Sequence, residues 1–166
     1  MRRRFADENC SIAQALEVLG DWWTLLLIRE AFFGTRRFAD FQAALGISKN
    51  VLTQRLEHLV EHEVFERVDA GVHGPRFEYV LTARGKDLAT VLTALRQWGD
   101  RWIFGEGKEP VQLVDTRTGR PVAPLRIQTE AGEPVPGRNL ALIPGPGASE
   151  ETLERYAALA KGREEE

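Results

Sequence analysis

The feature that most constrains the fold of this chain is a two-residue connection between two amphipathic segments. Apolar residues recur at helical spacing from Phe38 to Leu45, where Gly46 ends the run, and Ser48 is a typical N-cap for a following helix. With only Gly46 and Ile47 between them, the two helices cannot continue in line and must cross at a steep angle. This pattern predicts a helix-turn-helix, whose second helix enters the major groove of DNA.

Two further helices precede this pair. The first is predicted over residues 11–19 and the second over residues 22–33, with Asp21 as its N-cap, and a glycine follows each of them. The second helix is apolar on nearly every side, which predicts a central position in the core. The helices of the pair itself are expected over residues 37–45 and 48–62.

The hydrophobic period changes to two after the fourth helix. Residues 64–68 and 76–81 alternate between apolar and polar side chains, and a turn-rich loop over residues 69–75 joins them. Two strands that directly follow a recognition helix predict a β-wing. Thr82 then caps a long helix that extends to about Phe104.

The long helix carries an apolar seam whose members are spaced by 3, 4, 3 and 4 residues. The seam consists of Leu88, Val91, Leu95, Trp98 and Trp102. This spacing is typical of helices that pair along a coiled-coil-like contact. A second copy of the chain is the natural partner, so the seam predicts a homodimer interface.

The remainder of the chain is rich in proline and glycine, and segments 118–122 and 131–135 echo each other as paired tight turns. The predicted organisation is a winged helix-turn-helix domain over residues 1–105 and a β-hairpin extension over residues 106–148. A short amphipathic helix and an acidic tail follow over residues 149–166. The predicted fold class is mainly α with a small β-wing and a short β-rich C-terminal extension.

The charge is unevenly distributed along the chain, although its net value is only −3. Residues 29–55 carry five basic and two acidic side chains, whereas residues 57–69 carry five acidic side chains and one basic. The total argues against a bulk electrostatic binder of nucleic acid, and the blocks indicate that the N-terminal end of the fourth helix faces the DNA.

Cysteine usage and hydropathy bound the compartment. Cys10 is the only cysteine, which excludes an internal disulfide framework and a four-cysteine metal site and fits a reducing cytosol. The basic start is not followed by the apolar stretch of a signal peptide, and the apolar run at 22–33 is too short to span a bilayer. We therefore expect a cytoplasmic protein that does not associate with membranes and needs no cofactor or metal.

The outer face of the fourth helix offers side chains that suit base edges in the major groove. Amide side chains pair with adenine, a lysine pairs with guanine or a phosphate, and a threonine offers a hydroxyl and a methyl group. The predicted base-reading residues are Lys49, Asn50, Thr53 and Gln54. Contacts to the DNA backbone are predicted for Arg36, Arg37, Ser48, Arg55, Arg76 and His73.

With these elements in place, residues 10–104 resemble the HxlR-type family of winged helix-turn-helix regulators. The matching motifs are Ala15–Gly20, Trp23–Glu30, Gly34–Phe38, Gly46–Leu56, Glu78–Thr82 with Gly85, and Trp98–Gly99. The resemblance implies a dimeric transcriptional regulator, often a repressor acting near its own gene, whose first and last helices form the dimer.

The chain departs from the family pattern at several positions. The family's Cys-Pro pair is Cys10-Ser11 here, and the lysine before the first core tryptophan is Trp22. The glycine after the recognition helix is Glu63, which disfavours a left-handed cap there and favours a longer helix. Some relatives carry a zinc-ribbon-like extension, and the turns at Thr118 and Ala131 resemble its knuckles without the cysteines and hence without the metal.

Cys10 is the one candidate regulatory switch. It lies at the start of the first helix, where amide dipoles lower the pKa of a thiol, and several relatives sense oxidants or electrophiles with a cysteine at this place. An electrophile or other small-molecule effector is therefore a candidate ligand. The alternative is a small apolar side chain buried at the dimer interface.

The sequence leaves two other classes of function open, a zinc-dependent hydrolase and a protein-interaction module. His58, Glu61 and His62 fit the spacing of an inverted zinc-peptidase motif, but they lie at the tail of the recognition helix and no downstream ligand cluster follows. A winged-helix protein-interaction module without DNA binding is the other alternative. The favoured prediction is a non-enzymatic homodimer that binds a palindromic operator in double-stranded DNA.

Overall fold

A computed structural model of the chain describes Phe5, residues 7–71 and residues 76–164. The helices are α1 (Ser11–Leu19), α2 (Trp22–Phe32), α3 (Phe38–Leu45), α4 (Lys49–Glu61), α5 (Ala83–Gly99) and α6 (Glu150–Glu164). The strands are β1 (Phe65–Asp69) and β2 (Phe77–Leu81), a π-helical turn spans Asp100–Phe104, and a 3-10 turn spans Gly137–Asn139. The mainly α fold with a small antiparallel wing is confirmed.

The chain divides into two compact units. One is Val18–Leu125, which contains the helix-turn-helix, the wing and α5, and the other joins the N-terminal residues up to Glu17 with the residues from Arg126 onward. These units differ from the predicted boundaries after residues 105 and 148, because the start of the chain groups with its end. The predicted boundaries remain a hypothesis about how the chain is organised in function.

The core of the first unit forms where α2, α3 and α4 meet the base of the wing. Its members are buried side chains from each of these elements: Leu27, Ile28, Phe41, Ile47, Leu52, Leu56, Leu59, Val64, Phe65 and Leu81. The aromatic rings of Phe41 and Phe65 lie 6.1 Å apart, in the tilted arrangement that aromatic pairs favour. α4 contributes three leucines at helical spacing to this core, so its opposite side does not take part in the core.

Three side-chain caps start the helices at the residues that the sequence indicated. Asp21 accepts a hydrogen bond from the Trp23 amide at 2.9 Å, and Thr82 accepts one from the Gly85 amide at 3.1 Å. The Ser48 hydroxyl accepts from the amide of the third residue of α4 at 3.4 Å. Each cap satisfies an amide that has no partner inside its helix, so these local signals are enough to fix where the helix begins.

The end of α4 differs from the sequence expectation. Glu63 adopts φ +57° and is the only non-glycine residue with positive φ in the described chain. The amide of Val64 bonds to the Leu59 carbonyl at 2.9 Å, and the amide of Glu63 bonds to the Val60 carbonyl at 3.0 Å, which is a Schellman motif. The expectation that the missing glycine would prevent a left-handed cap is wrong, because burial of Val64 and Leu59 holds the turn closed.

The wing is bound to the helix-turn-helix by backbone contacts. β1 and β2 pair antiparallel with Phe65 opposite Leu81 and Asp69 opposite Phe77. The amide of Tyr79 donates to the carbonyl of Arg36 at 2.8 Å, so the segment before α3 extends the sheet by one backbone contact. A Cβ atom added at Gly85 would lie 2.2 Å from the Val64 carbonyl oxygen, so only glycine fits where α5 passes the start of the wing.

The extension forms turns rather than full strands within the described residues. Single bridges join Val114 to Pro121 and Gln128 to Pro134, and the glycines at 119 and 132 adopt positive φ at the two turn tips. The paired turns agree with the sequence echo, whereas the predicted β-rich character is limited to these isolated bridges. The predicted C-terminal helix is present as α6, which continues to Glu164.

Among the described residues, no single helix is long and apolar enough to cross a membrane. Only α1 and α2 taken together meet the length and hydropathy requirements, and they are bent by 75° at their junction.

Candidate nucleic-acid interface

The turn between α3 and α4 has the geometry that its sequence predicted. Gly46 adopts φ +62° and ψ 20°, and its amide donates to the Gln42 carbonyl at 2.9 Å to end α3. Ile47 is buried in the core, and Ser48 then begins the next helix in an extended conformation. One left-handed glycine and one buried anchor therefore hold α4 at a fixed position relative to α3.

The N-terminal part of α4 presents its polar side chains to solvent. Lys49, Asn50 and Gln54 are exposed, and Thr53 is partly buried. Within the part of the chain that the structure describes, the side chains of these four residues make no hydrogen bond or ion pair to the protein. Their donors and acceptors are available to a ligand, as base reading in a groove requires.

Two arginines directly before α3 contact a glutamate from the wing. Arg37 Nε lies 3.4 Å from Glu78 Oε1, and a guanidinium nitrogen of Arg36 lies 4.0 Å from Glu78 Oε2. The arginine side chains remain 60% and 53% exposed, whereas that of Glu78 is only 15% exposed. The glutamate therefore orients two cations whose outer surfaces stay open to a phosphate. Sequence analysis missed Glu78, because nothing in a strand pattern identifies its partners.

Arg55 forms an ion pair with a carboxylate at the start of α2. Its guanidinium lies 3.0 Å from Asp21 Oδ2, with only 24% of the side chain exposed, and its Nε atom is buried without a partner among the described residues. Asp21 also caps α2, so the ion pair connects the middle of α4 to the start of α2. The ion pair gives Arg55 a role within its own chain, and its contact with the DNA backbone stays a prediction.

The wing loop is closed by Asp69 at the end of β1. Its Oδ1 atom accepts from the amides of Gly71 at 2.9 Å and Arg76 at 3.0 Å. Both hydrogen bonds lower the pKa of the Asp69 carboxyl below its usual value, and the bond from the Arg76 amide has the larger effect. Arg76 is exposed and lies directly before β2, at the loop end of the wing. His73, the other wing residue proposed to contact DNA, lies outside the described residues.

The predicted dimer seam divides into two faces of α5. Leu88 packs against the core of its own chain, together with Leu92, and its assignment to the interface stays a prediction. The other four members, with two neighbours in the π-helical turn, form an exposed apolar face. This face, called the α5 face below, consists of Val91, Leu95, Trp98, Trp102, Ile103 and Phe104. A stripe of this kind on a monomer marks an interaction surface.

Cys10 is exposed immediately before α1, where its carbonyl accepts the hydrogen bond of the Gln14 amide at 3.0 Å. The thiol is therefore accessible within one chain. Whether it senses an oxidant or is covered by a second copy remains a prediction.

The neighbouring Asn9 has a structural role that sequence analysis did not find. Its side-chain oxygen accepts from the Ser149 amide and from the Thr152 hydroxyl, each at 2.9 Å, and its side-chain nitrogen donates to the Gly147 carbonyl at 3.1 Å. These three bonds join the N-terminus of the chain to the start of α6.

The last turn of α4 brings together the three residues of the inverted zinc-peptidase pattern. One ligand atom each of His58, Glu61 and His62 lies within 4.8 Å of the other two. The histidine rings are 4.2 Å apart and both partly buried, and the glutamate is exposed. The cluster lies at the opposite end of α4 from Lys49 and Asn50.

Taken together, these features define a winged helix-turn-helix protein with an open, polar recognition helix. Residues 18–106 match the family model described as HxlR-like helix-turn-helix. The chain belongs to that family and is a transcriptional regulator with a helix-turn-helix DNA-binding domain.

Relatives and solved structures extend the match beyond the family domain. The uncharacterised HTH-type transcriptional regulator Rv3095 of Mycobacterium tuberculosis is 41% identical over 147 residues, covering 89% of this chain and 92% of that one. The crystal structure of PA1607, described as a transcription-factor candidate, aligns with a TM-score of 0.78 at 37% identity over 85% of this chain and 99% of that one. PA1374 of Pseudomonas aeruginosa aligns with a TM-score of 0.63 at 40% identity, covering 88% and 99%. The extension is therefore shared with these proteins.

Proposed function

We propose that this protein is a homodimeric repressor that binds a palindromic operator, with the first two turns of α4 in the major groove. It would act in the cytoplasm. The single observation that carries the proposal is the open polar face of Lys49, Asn50 and Gln54 on a helix whose other side is fully committed to the core.

The charge distribution supports this orientation of α4. Arg36 and Arg37 lie at the amino end of the helix-turn-helix, and Arg76 lies on the wing, and these three exposed cations are the proposed phosphate contacts. The acidic side chains at Glu57 and Glu61 begin only after the second turn of α4, where the helix leaves the groove. Phosphate contacts position a protein on DNA, whereas base contacts select the sequence, and the two sets are separate here.

A dimer explains how so small a reading surface can select a site. Two copies related by a twofold axis read two half-sites, and their spacing must match about 34 Å, one turn of the duplex. The α5 face supplies the apolar surface for such a pair. Repression is proposed because a dimer that covers a promoter excludes the polymerase, and the family resemblance favours this mode.

The first experiment identifies the operator by selecting bound fragments from genomic DNA and then titrates the protein against the selected duplex and a scrambled one. Gln54→Ala or Asn50→Ala should weaken binding to the operator by about 1–3 kcal/mol and leave scrambled DNA almost unaffected. Arg37→Ala should weaken both duplexes alike and lower the slope of log K against log salt by about 1.

Matched variants control these measurements. Glu57→Ala, on the next turn of α4, should not reduce affinity. Lys108→Ala, at an exposed lysine outside the helix-turn-helix and the wing, should leave the slope of log K against log salt unchanged. Equal losses on both duplexes for Gln54→Ala would remove its role as a base reader. A folded dimer without affinity for any selected duplex would favour the alternative of a protein-interaction module.

A further inference from the structure

The acidic end of α4 carries a cluster that DNA binding does not use. His58, Glu61 and His62 are spaced i, i+3 and i+4, which places all three on one side of the helix. One nitrogen or oxygen atom of each lies within 4.8 Å of the others, a separation that one ion can bridge after small side-chain rotations. Leu59 of the same turn is buried in the core, whereas His58 and His62 are partly buried and Glu61 is exposed.

Hydrogen bonds fix which nitrogen of each ring is free. His58 Nε2 lies 3.0 Å from the Val18 carbonyl oxygen, and His62 Nδ1 lies 2.9 Å from the His58 carbonyl oxygen. A carbonyl only accepts, so each of these nitrogens carries the proton in a neutral ring. The lone pairs therefore remain on His58 Nδ1 and His62 Nε2. An imidazole that donates to a backbone carbonyl through one nitrogen and offers the other is the arrangement typical of metal-ligating histidines.

The local charge also favours a cation. Residues 57–69 carry five acidic side chains and one basic side chain, and the cluster lies within this block. The last turn of a helix carries the negative end of its dipole, which further stabilises a positive ion.

We propose that His58, Glu61 and His62 form a site for one divalent transition-metal ion of the zinc class. Two imidazole nitrogens and one carboxylate oxygen suit Zn²⁺, Co²⁺ and Ni²⁺, whereas Mg²⁺ and Ca²⁺ require oxygen ligands. The fourth position is open to water. Glu61 is a ligand, so the site regulates or stabilises the protein and does not provide the base that a hydrolase needs.

A bound ion would strengthen the connection between the end of α4 and the last turn of α1. His58 is already bonded to Val18 in the last turn of α1, and a metal on its other nitrogen orders the ring and that contact together. Binding to the folded state alone raises its stability with the logarithm of the free ion concentration once that exceeds the dissociation constant. The proposal is independent of the proposed function, since ion binding is measured on the free protein.

The experiment titrates untagged full-length protein with ZnCl₂ by calorimetry and with CoCl₂ by visible absorption. The expected result is one ion per chain, a rise in melting temperature on adding Zn²⁺, and a cobalt band that Zn²⁺ displaces. Glu61→Gln and His62→Gln should each weaken binding by at least about tenfold, since even loss of an outer-shell partner costs about 10–100-fold. Both positions lie off the core, so the variants should fold.

The chain offers a matched control in its third histidine. His73→Gln, outside the cluster, should bind Zn²⁺ as the parent does, and Cys10→Ser should do the same. The proposal is overturned if the parent shows no saturable Zn²⁺ binding or if Glu61→Gln and His62→Gln bind as tightly as the parent. Loss of binding in His73→Gln, or half an ion per chain, would also overturn it, because either places the ion elsewhere.

Discussion

Glu63 occupies a position that the backbone would assign to glycine. Its φ of +57° is required by the two hydrogen bonds that close the end of α4, and the carboxylate contributes only a 4.0 Å contact to Arg84 between two well-exposed side chains. A left-handed conformation costs a residue with a Cβ atom about 1–2 kcal/mol. The cost is tolerated because the Schellman turn directs Val64 into the core, where β1 must begin.

We predict that Glu63→Gly stabilises the protein. Relief of the left-handed strain exceeds the added entropy of the unfolded chain, which is about 0.4–1 kcal/mol, so the net gain should be roughly 0.5–1 kcal/mol. Chemical denaturation followed by circular dichroism measures the change. Glu63→Ala is the control, since it removes the contact to Arg84 and keeps the strain, and it should not stabilise. Equal stabilities for the glycine and alanine variants would contradict this account.

At the scale of elements, local chemistry made most of the helix-turn-helix predictable. Asp21, Ser48 and Thr82 cap the helices that follow them, and Gly46 ends α3, because each of these effects involves residues only a few positions apart. The wing was predictable for the same reason, since a change of hydrophobic period is visible in a short window.

The sequence did not predict contacts between residues that are far apart along the chain. Leu88 and Val91 both belong to the apolar stripe of α5, but only the packed structure shows that the first faces its own core and the second faces solvent. The sequence also did not show that Arg55 forms an ion pair with the carboxylate of Asp21. Asn9 contacts the start of α6 across about 140 residues, a distance that no sequence window spans.

For the wing we predict a loss of order at acidic pH. Asp69 accepts two backbone amides as a carboxylate, which lowers its pKa below the ordinary value of 3.8. The loop is therefore held closed above that value and loses this contribution as the pH falls through the lowered pKa. Carbon NMR of the Asp69 carboxyl group and the exchange of the Gly71 amide should report the same transition.

Asp69→Asn separates charge from geometry in the wing. The amide oxygen still accepts a hydrogen bond but cannot titrate, so exchange at the Gly71 amide should be faster than in the parent and lose its acid transition. A parent whose Asp69 carboxyl titrates at or above 3.8 would contradict the assignment. Because Asp69 also positions the backbone of Arg76, the same variant should weaken DNA binding without changing sequence preference.

At the scale of the whole molecule, the α5 face exposes several large apolar side chains to solvent. Trp98 and Trp102 remain 58% and 65% exposed, and Val91, Leu95 and the π-helical turn continue the same stripe. Aromatic side chains of this size dominate the energy of protein interfaces when they are buried at the centre of a contact. The DNA-binding proposal therefore depends on the α5 face, because the way in which two α5 helices pair sets the distance between the two operator half-sites.

We predict that Leu95→Glu converts the protein from a dimer to a monomer. Placing a carboxylate at the centre of an apolar contact leaves a charge buried without a partner, which costs far more than the loss of one leucine. Sedimentation equilibrium across a range of concentrations measures the change in mass, and circular dichroism checks that the monomer stays folded. The α6 variant Leu159→Glu is the control, because Leu159 is exposed to a similar degree, 56% against 50%, and lies outside the α5 face. Dissociation by Leu159→Glu, with Leu95→Glu still dimeric, would transfer the interface to α6, and a parent that sediments as a monomer would remove the homodimer from the proposed function.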